Sequence, residues 1–466
     1  MSRLLALLLV LTSLVLPGAA ASAPVVSASA VVSTALPITA AAPRAQAPQR
    51  QFRPRRGVTF NSPVDGPAVQ RAIFAKIMRS IDATPRGEQI NIFSWNFQSP
   101  AAADALLRAQ KRGVRVRLLM DEINNTEIVN GPFRKVRFGL AQGNEGKRKA
   151  RRSWARTCEK SCRGTRAQAH AKFFMFSRVG PVPRVVIQGS ANLTEAATFN
   201  QWNDVYTHVR NEDVWAFYEE IFRQSATDKP IARPFEAVRA ATFRLIQFPL
   251  VGGRDPVLQL LDEVNCQGAS NTASGVTRIR IAPDVFRNAR GMRIAKVVKN
   301  LWNRGCDIRI GYTVIGIDVG RYLRSPEGRG PVPLRHLVQD LDGDGEFDNY
   351  FHLKAMSIVG HLGDNREGYA VLNGSANWSG TALQNDENVG VYRNKRDTLA
   401  YDGHIDFWYE RFGNGSMRST SSGLARGTVP TIGPDALVFG SGPGAVYEDG
   451  TPYSVTGVDP YANVVD

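Results

Sequence analysis

An α/β fold built twice, each half a sheet sandwiched by helices, is the class this chain predicts. Three observations predict it. Strand-like and helix-like segments alternate from Val58 to Phe412. A polar string, His170-Ala171-Lys172 and then Gly189-Ser190-Ala191-Asn192, returns as His352-Leu353-Lys354 and then Gly374-Ser375-Ala376-Asn377. Each copy is followed by a carboxylate, Asp204 or Glu387, and then by an aromatic segment, Phe217-Tyr218-Glu219 or Trp408-Tyr409-Glu410. Strand-helix alternation with right-handed crossovers buries a sheet between helices, and the repeat of whole segments predicts two such domains.

The elements follow in order. Ala68 to Ile81 carries apolar residues at helical spacing (Val69, Ile73, Ile77, Ile81), and Pro85-Arg86-Gly87 ends it. Ile90 to Trp95 alternates as a strand. Ala101 to Gln110 is an Ala/Leu-rich helix closed by Arg112-Gly113, glycine suiting the left-handed turn past a helix end. Val114 to Leu118 is a strand running on to Asp121. A basic segment, Arg134 to Arg166, is either a solvated loop or a rim that steers anions. Ala169 to Phe176 is a strand, and its apolar run suits burial on both faces. In the second half Val257 to Val264 is helical, Ile279 and Ile281 mark a strand, Arg293 to Asn303 is a helix closed by Arg304-Gly305, and Cys306 to Ile310 is a strand.

The expected organisation is a signal peptide over residues 1–23, a linker over 24–56, domains over 57–240 and 241–413, and an irregular tail over 414–466. Arg3, the apolar run Leu4 to Leu16 and the small residues Ala19 to Ala23 make the leader, with no later stretch apolar enough to stop transfer. The mature chain is therefore expected outside the cell, as a monomer. Export permits disulfides. The four cysteines allow three pairings; Cys158 with Cys162 and Cys266 with Cys306, each within one half, is the expected one. A zinc site of Cys158, Cys162 and a histidine is the rival. With 466 residues, 43% of them hydrophobic, the chain can bury large cores, and its net charge of +16 favours an anionic partner.

In a strand, His170 and Lys172 share a face. Such groups are costly to bury without partners or a ligand. The Gly-Ser-Ala-Asn turn adds close backbone approach, a hydroxyl (Ser190, Ser375) and an amide (Asn192, Asn377), donors suited to phosphate oxygens. Asp204 and Glu387 are the candidates to accept from imidazole Nδ1–H and leave Nε2 free. Lys172 and Lys354 supply positive charge where negative charge develops, so no catalytic metal or other cofactor is expected. The remaining histidines, His208, His336, His361 and His404, have no duplicated context and read as structural, His208 sharing a strand face with Asp204. Asp340-Leu341-Asp342-Gly343-Asp344-Gly345-Glu346-Phe347-Asp348 resembles the first half of an EF-hand loop, a candidate structural calcium site through Asp340, Asp342, Asp344 and Asp348. Its position twelve is Phe351 where the loop needs glutamate, and an acidic surface turn is the alternative.

The duplicated strings resemble the phospholipase D superfamily, whose signature is H-x-K-x4-D followed by G-S-x-N. The resemblance runs from about Val58 to Phe412. It implies two phospholipase D-like domains packed about a pseudo-twofold axis and two histidines converging on one phosphorus. It further implies His170 as the nucleophile, forming a phosphohistidine, and His352 as the acid and base. Lys172, Lys354, Asn192 and Asn377 would hold phosphate oxygens, with Ser190 and Ser375 in support. The signature aspartate falls at Ser177 and Val359, so neither copy keeps it. The implied activity is hydrolysis of phospholipid head groups at a membrane surface; the alternative is a metal-independent endonuclease acting on DNA or RNA.

Overall fold

Two sheets carry the structure, and they have one strand order. The computed structural model describes residues 51–126, 129–341 and 347–412, with two short backbone strands at Val438–Phe439 and Val446–Tyr447. The expected leader, most of the linker, most of the tail, and Asp342 and Asp344 of the acidic run lie outside the described residues. The first sheet uses β1 (Gly57–Phe60), β2 (Gln89–Ser94), β3 (Arg115–Asp121), β4 (Trp154–Cys158), β5 (Lys172–Val179), β6 (Val182–Gly189) and β7 (Asp204–His208), in the order β1-β7-β6-β5-β2-β3-β4. The second uses β8 (Glu236–Arg239), β9 (Phe243–Gln247), β10 (Arg278–Pro283), β11 (Asp307–Tyr312), β12 (Leu334–His336), β13 (Lys354–Leu362), β14 (Asn365–Gly374) and β15 (Asn388–Tyr392). Their order is β8-β9-β15-β14-β13-β10-β11-β12, and the short strand Val264–Asn265 pairs with β13.

Without β8 the two orders superpose strand for strand. In each sheet the crossover strands are parallel (β2 with β3, β10 with β11) and the strands carrying the polar strings are antiparallel (β5 with β6, β13 with β14). The predicted α/β class, two similar phospholipase D-like sandwich domains, is the fold observed.

Alternation along β5 explains the layering. Phe174 and Phe176 face an outer core with Ile73, Ile77, Leu106 and Val116, while Phe173 and Met175 face a central core. That central core draws on both halves: Trp202, Tyr206 and Tyr218 from the first, Phe351, Tyr392 and Trp408 from the second. In β13 the alternation repeats, with Met356 and Ile358 outward and Ala355 central. Each sheet thus packs one face on its own helices and the other toward its twin. Equivalent residues meet at the join: Gln188 Nε2 donates to Asn373 Oδ1 at 3.0 Å. Contact between residues at matching positions of two repeats is what a pseudo-twofold axis produces.

Several expectations shift. The helix foreseen over 68–81 is broken at Arg71 into Pro67–Gln70 and Ala72–Asp82, and Arg71 lies over the Phe199 ring. The basic segment is largely ordered structure: it holds most of a helix, Gly131–Gln142, capped by Asn130, and all of β4. Its apolar side, Phe133, Val136 and Leu140, is buried, so its charges are the solvent face of an amphipathic helix. The strand expected from Ala169 begins at Lys172, so His170 stands just ahead of it. Ser177 and Val359, in place of the signature aspartate, are structural: the Ser177 hydroxyl donates to Glu88 at 2.6 Å, and Val359 is buried in β13. Both expected disulfides are formed, Cys158–Cys162 and Cys266–Cys306. Among the described residues, the cysteines near Asp228 are therefore bonded to each other and not free to bind zinc.

Candidate active site

The site is built where the β5 and β13 strands begin. The loop before β5 is pinned by Asp121 at the end of β3, which accepts from the Ala169 amide at 2.7 Å. This hydrogen bond sets His170 at the sheet's edge. Lys172 then folds its ammonium back on the His170 carbonyl at 2.5 Å, and Lys354 does the same to the His352 carbonyl at 3.0 Å. The glycines are required by crowding. A Cβ on Gly189 would come within 2.2 Å of the Asp204 carbonyl oxygen, and one on Gly374 within 2.0 Å of that of Asn388.

Each half completes the other's histidine. His170 Nδ1 lies 2.9 and 3.0 Å from the two oxygens of Glu387, a residue of the second half. His352 Nδ1 lies 2.8 Å from Asn203 Oδ1, a residue of the first. Ser375 donates to Glu387, and Ser190 donates to Asn203 at 3.0 Å, the same contact in both halves. Asp204, expected to orient a histidine, is displaced by one position: its Oδ2 accepts from Asn373 at 2.6 Å and from Tyr401 at 2.5 Å. Strand register gives the reason. Val205 pairs with Gly189 and Val389 with Gly374, so Glu387 is matched by Asn203 and Asp204 by Asn388. Counting residues after Gly-Ser-Ala-Asn misses this because the loop before β7 is one residue longer.

Three further residues at the site carried no duplicated signal. Ser94 pairs with Lys172 and Pro283 with Lys354, which makes Trp95 and Asp284 equivalent. The Trp95 ring lies edge-on to His170 at 5.5 Å and under the Lys172 ammonium at 5.7 Å. Asp284 accepts from Lys354 Nζ at 2.8 Å. Asp386 reaches back to the Cys158–Cys162 loop, accepting from the Cys162 amide at 2.5 Å and Ser161 Oγ at 3.0 Å. Both stand directly after a strand of the sheet, Trp95 after β2 and Asp284 after β10.

Burial shapes the electrostatics. It is the largest cause lowering His170 to about 4, Lys172 offsetting part of what Glu387 returns. Glu387 is held below its usual range by His170, Lys172 and Ser375 against that same burial. The pair is therefore neutral imidazole and carboxylate, with Nδ1–H donating and Nε2 carrying a lone pair. His352 is lowered well below an ordinary imidazole by burial, then by Lys354, Lys172 and His170. The four groups feel one another across the join. The Asn377 amide is fully buried with neither its oxygen nor its nitrogen paired among the described residues, and Asn192 Oδ1 accepts weakly from the Asn96 amide at 3.3 Å. A buried amide with both of its atoms unpaired is a candidate to meet a ligand's oxygens.

Of the other histidines, His208 and His336 are buried, and His404 and His361 are half-buried. His208 meets the Tyr392 hydroxyl at 3.1 Å, His404 stacks on Phe60, and His336 meets the Thr313 carbonyl at 2.8 Å. His361 meets the Gln267 carbonyl. Of the acidic run, the described part shows Leu341 donating its amide to Asp348, and Asp340 is buried.

The duplicated sheet, with paired His-x-Lys and Gly-Ser-x-Asn strings on its axis, resembles the architecture of the phospholipase D class. Residues 77–226 match the family described as "Cardiolipin synthase, PLD-like domain". No curated protein sequence matches it. Among solved structures, polyphosphate kinase from Porphyromonas gingivalis aligns with a TM-score of 0.51 at 13% identity, over 79% of this chain and 53% of that one. The chain thus spans about half the length of that kinase, and the likeness is one of fold. Phosphatidylserine synthase from Haemophilus influenzae aligns at 0.49 and 12% identity, over 76% of this chain and 86% of that one. A phospholipase D family member, Nuc from Salmonella typhimurium, aligns at 0.28 and 20% identity, over 37% of this chain and 96% of that one.

Proposed function

We propose that the protein is a secreted phosphodiesterase of phospholipase D type that hydrolyses phospholipid head groups through a phosphohistidine. One observation carries the assignment of roles: the Nδ1 partner of His170 is a carboxylate, and that of His352 is a neutral amide. The carboxylate leaves His170 Nε2 as a lone pair and stabilises the cation that forms when it bonds to phosphorus. In the first step the His170 Nε2–P bond forms and the P–O bond to the head group breaks. The leaving oxygen takes the proton from His352 Nε2. In the second step water gives that proton back to His352, its oxygen bonds to phosphorus, and the P–N pair returns to His170. Lys172, Lys354, Asn192 and Asn377 hold the phosphate oxygens as charge builds on them. Two disulfides fit a protein that works outside the cell, and a cleaved leader over residues 1–23 belongs to the same reading. So does the division into domains at about residue 240.

The runner-up is an endonuclease with the same chemistry. It is favoured by one surface: Arg117 and Arg156 flank the Trp154 ring at 5.7 and 4.5 Å, with Arg115 and Arg151 beside them. Guanidiniums interleaved with an aromatic ring suit a nucleic-acid strand. Purified mature protein, incubated with phosphatidylcholine and separately with plasmid DNA in chelator, decides between them. Choline release without nicking supports the lipid reading; nicking without choline release replaces it with the nuclease.

A further inference from the structure

Both half-sites contain one carboxylate, but in different places. Around His170 it is Glu387, on Nδ1; on the other side of that imidazole stands Trp95. Around His352 the Nδ1 partner is Asn203, and the position equivalent to Trp95 is Asp284. Asp284 is 1% exposed. Its Oδ2 accepts from Lys354 Nζ at 2.8 Å and lies 3.7 Å from His352 Nε2. That separation exceeds a hydrogen bond, so the carboxylate acts on the imidazole through its field.

The other groups facing His352 do not favour a proton on it, apart from one backbone contact. Lys354, Lys172 and His170 oppose it, the Asn203 amide is neutral, and Tyr350 lies edge-on at 6.0 Å. The backbone at Ser190 favours it. Yet an acid must arrive protonated at the nitrogen that faces the leaving oxygen.

We infer that Asp284 is a positioning residue whose charge offsets part of the opposition to a proton on His352 Nε2 and so makes this imidazole the acid of the pair. The inference rests on the paired-histidine reading above. No proton is transferred to Asp284; the proton passes from His352 Nε2 to the departing alcohol and is restored by the attacking water. A second role follows from the same contact: by neutralising Lys354 it leaves Lys172, which among the described residues has no carboxylate within hydrogen-bonding reach, as the stronger phosphate anchor.

The test compares 4-nitrophenyl methyl phosphate with phenyl methyl phosphate. The phosphate and the retained group are the same, but only the phenol needs a proton as it leaves. Asp284→Asn is expected to lose at least about tenfold more kcat on the phenyl ester than on the nitrophenyl ester, one lost charge interaction being worth that much. The alkaline limb of kcat/KM for the phenyl ester should move to lower pH, since removing the anion lowers the imidazole. Asp284→Glu should restore both. Effects on Lys354 and phosphate binding cancel in the ratio. Equal loss on both esters, or a neutral variant with unchanged ratio and limb, overturns the inference and leaves the phosphodiesterase reading intact. Should Asp284→Asn fail to fold, Asp284→Ser set against Asp284→Glu carries the same comparison. Wild-type protein that cleaves neither ester sinks both readings.

Discussion

Set side by side, the two half-sites share His, Lys, Ser and Asn in the same backbone frame, yet they are not interchangeable. His170 is backed by Glu387 and bordered by Trp95; His352 is backed by Asn203 and bordered by Asp284. Duplication supplies symmetry, and the chemistry proposed here needs asymmetry, because one imidazole must give electrons while the other gives a proton. The difference lies outside the repeated strings, in the residues that follow a strand or precede one. The largest test of this comparison removes the imidazoles. His170→Ala and His352→Ala are each expected to lower turnover of an alkyl-ester substrate by about four orders of magnitude. On a nitrophenyl ester, which needs no acid, His352→Ala should keep far more activity than His170→Ala. Equal residual rates on that ester would mean the roles are not divided as proposed.

The next effect separates the backing groups. Glu387→Gln keeps a hydrogen bond to His170 but removes the charge that stabilises its cation, and a loss of about 10²–10³-fold in kcat is expected. Asn203→Ala removes one neutral hydrogen bond from His352, expected to cost about tenfold. Steady-state kinetics on the same substrate check the ratio. If the asparagine variant is the more damaged, carboxylate placement does not set the roles.

What could be read from the sequence divides along the same line. The fold class, both disulfides and the four motif residues of each half were legible, because each rests on local pattern: apolar alternation in β5, helical spacing in Ala72–Asp82, a string repeated nearly letter for letter. Asp204 was misplaced because its role depends on register, and a loop one residue longer shifts register without changing the pattern. Asp284 and Trp95 could not be paired by eye, since the repeat has different chemistry there. The helix Gly131–Gln142 was hidden by its charge, its buried Phe133, Val136 and Leu140 being sparse among basic residues.

The disulfides sharpen the comparison at smaller cost. Cys266–Cys306 closes a separation of 40 residues and Cys158–Cys162 one of 4. By loop entropy alone, losing the first should cost about 4 kcal/mol of stability and losing the second about 2 kcal/mol. Their effects on activity should run the other way. The Cys158–Cys162 loop holds Asp386, the neighbour of Glu387, through the Cys162 amide and Ser161, whereas the other bridge is in the second sheet's outer core. Cys158→Ser/Cys162→Ser is expected to lose several-fold in kcat with the smaller fall in melting temperature. Cys266→Ser/Cys306→Ser is expected to do the reverse. Thermal melts and kinetics on both double variants check this, and equal behaviour would remove the disulfide loop from the site.

The smallest expected effect is a shift in a pH limb. His170 must be neutral to attack, and burial holds it at about 4 against an ordinary 6.5. The acidic limb of kcat/KM should therefore lie near pH 4, well below that of a solvent-exposed imidazole. Glu387 works against burial here, favouring the protonated ring, so Glu387→Gln should move the limb lower still while reducing the plateau. Stability carries the same sign. Between 6.5 and 4 the unfolded chain binds a proton at this residue that the folded chain does not, so its contribution is present above pH 6.5 and is lost as the pH falls toward 4. His170→Asn should lessen that acid loss in chemical denaturation across the window. A limb near 6.5 would mean that His170 is hydrated and that the two halves do not close over it as described.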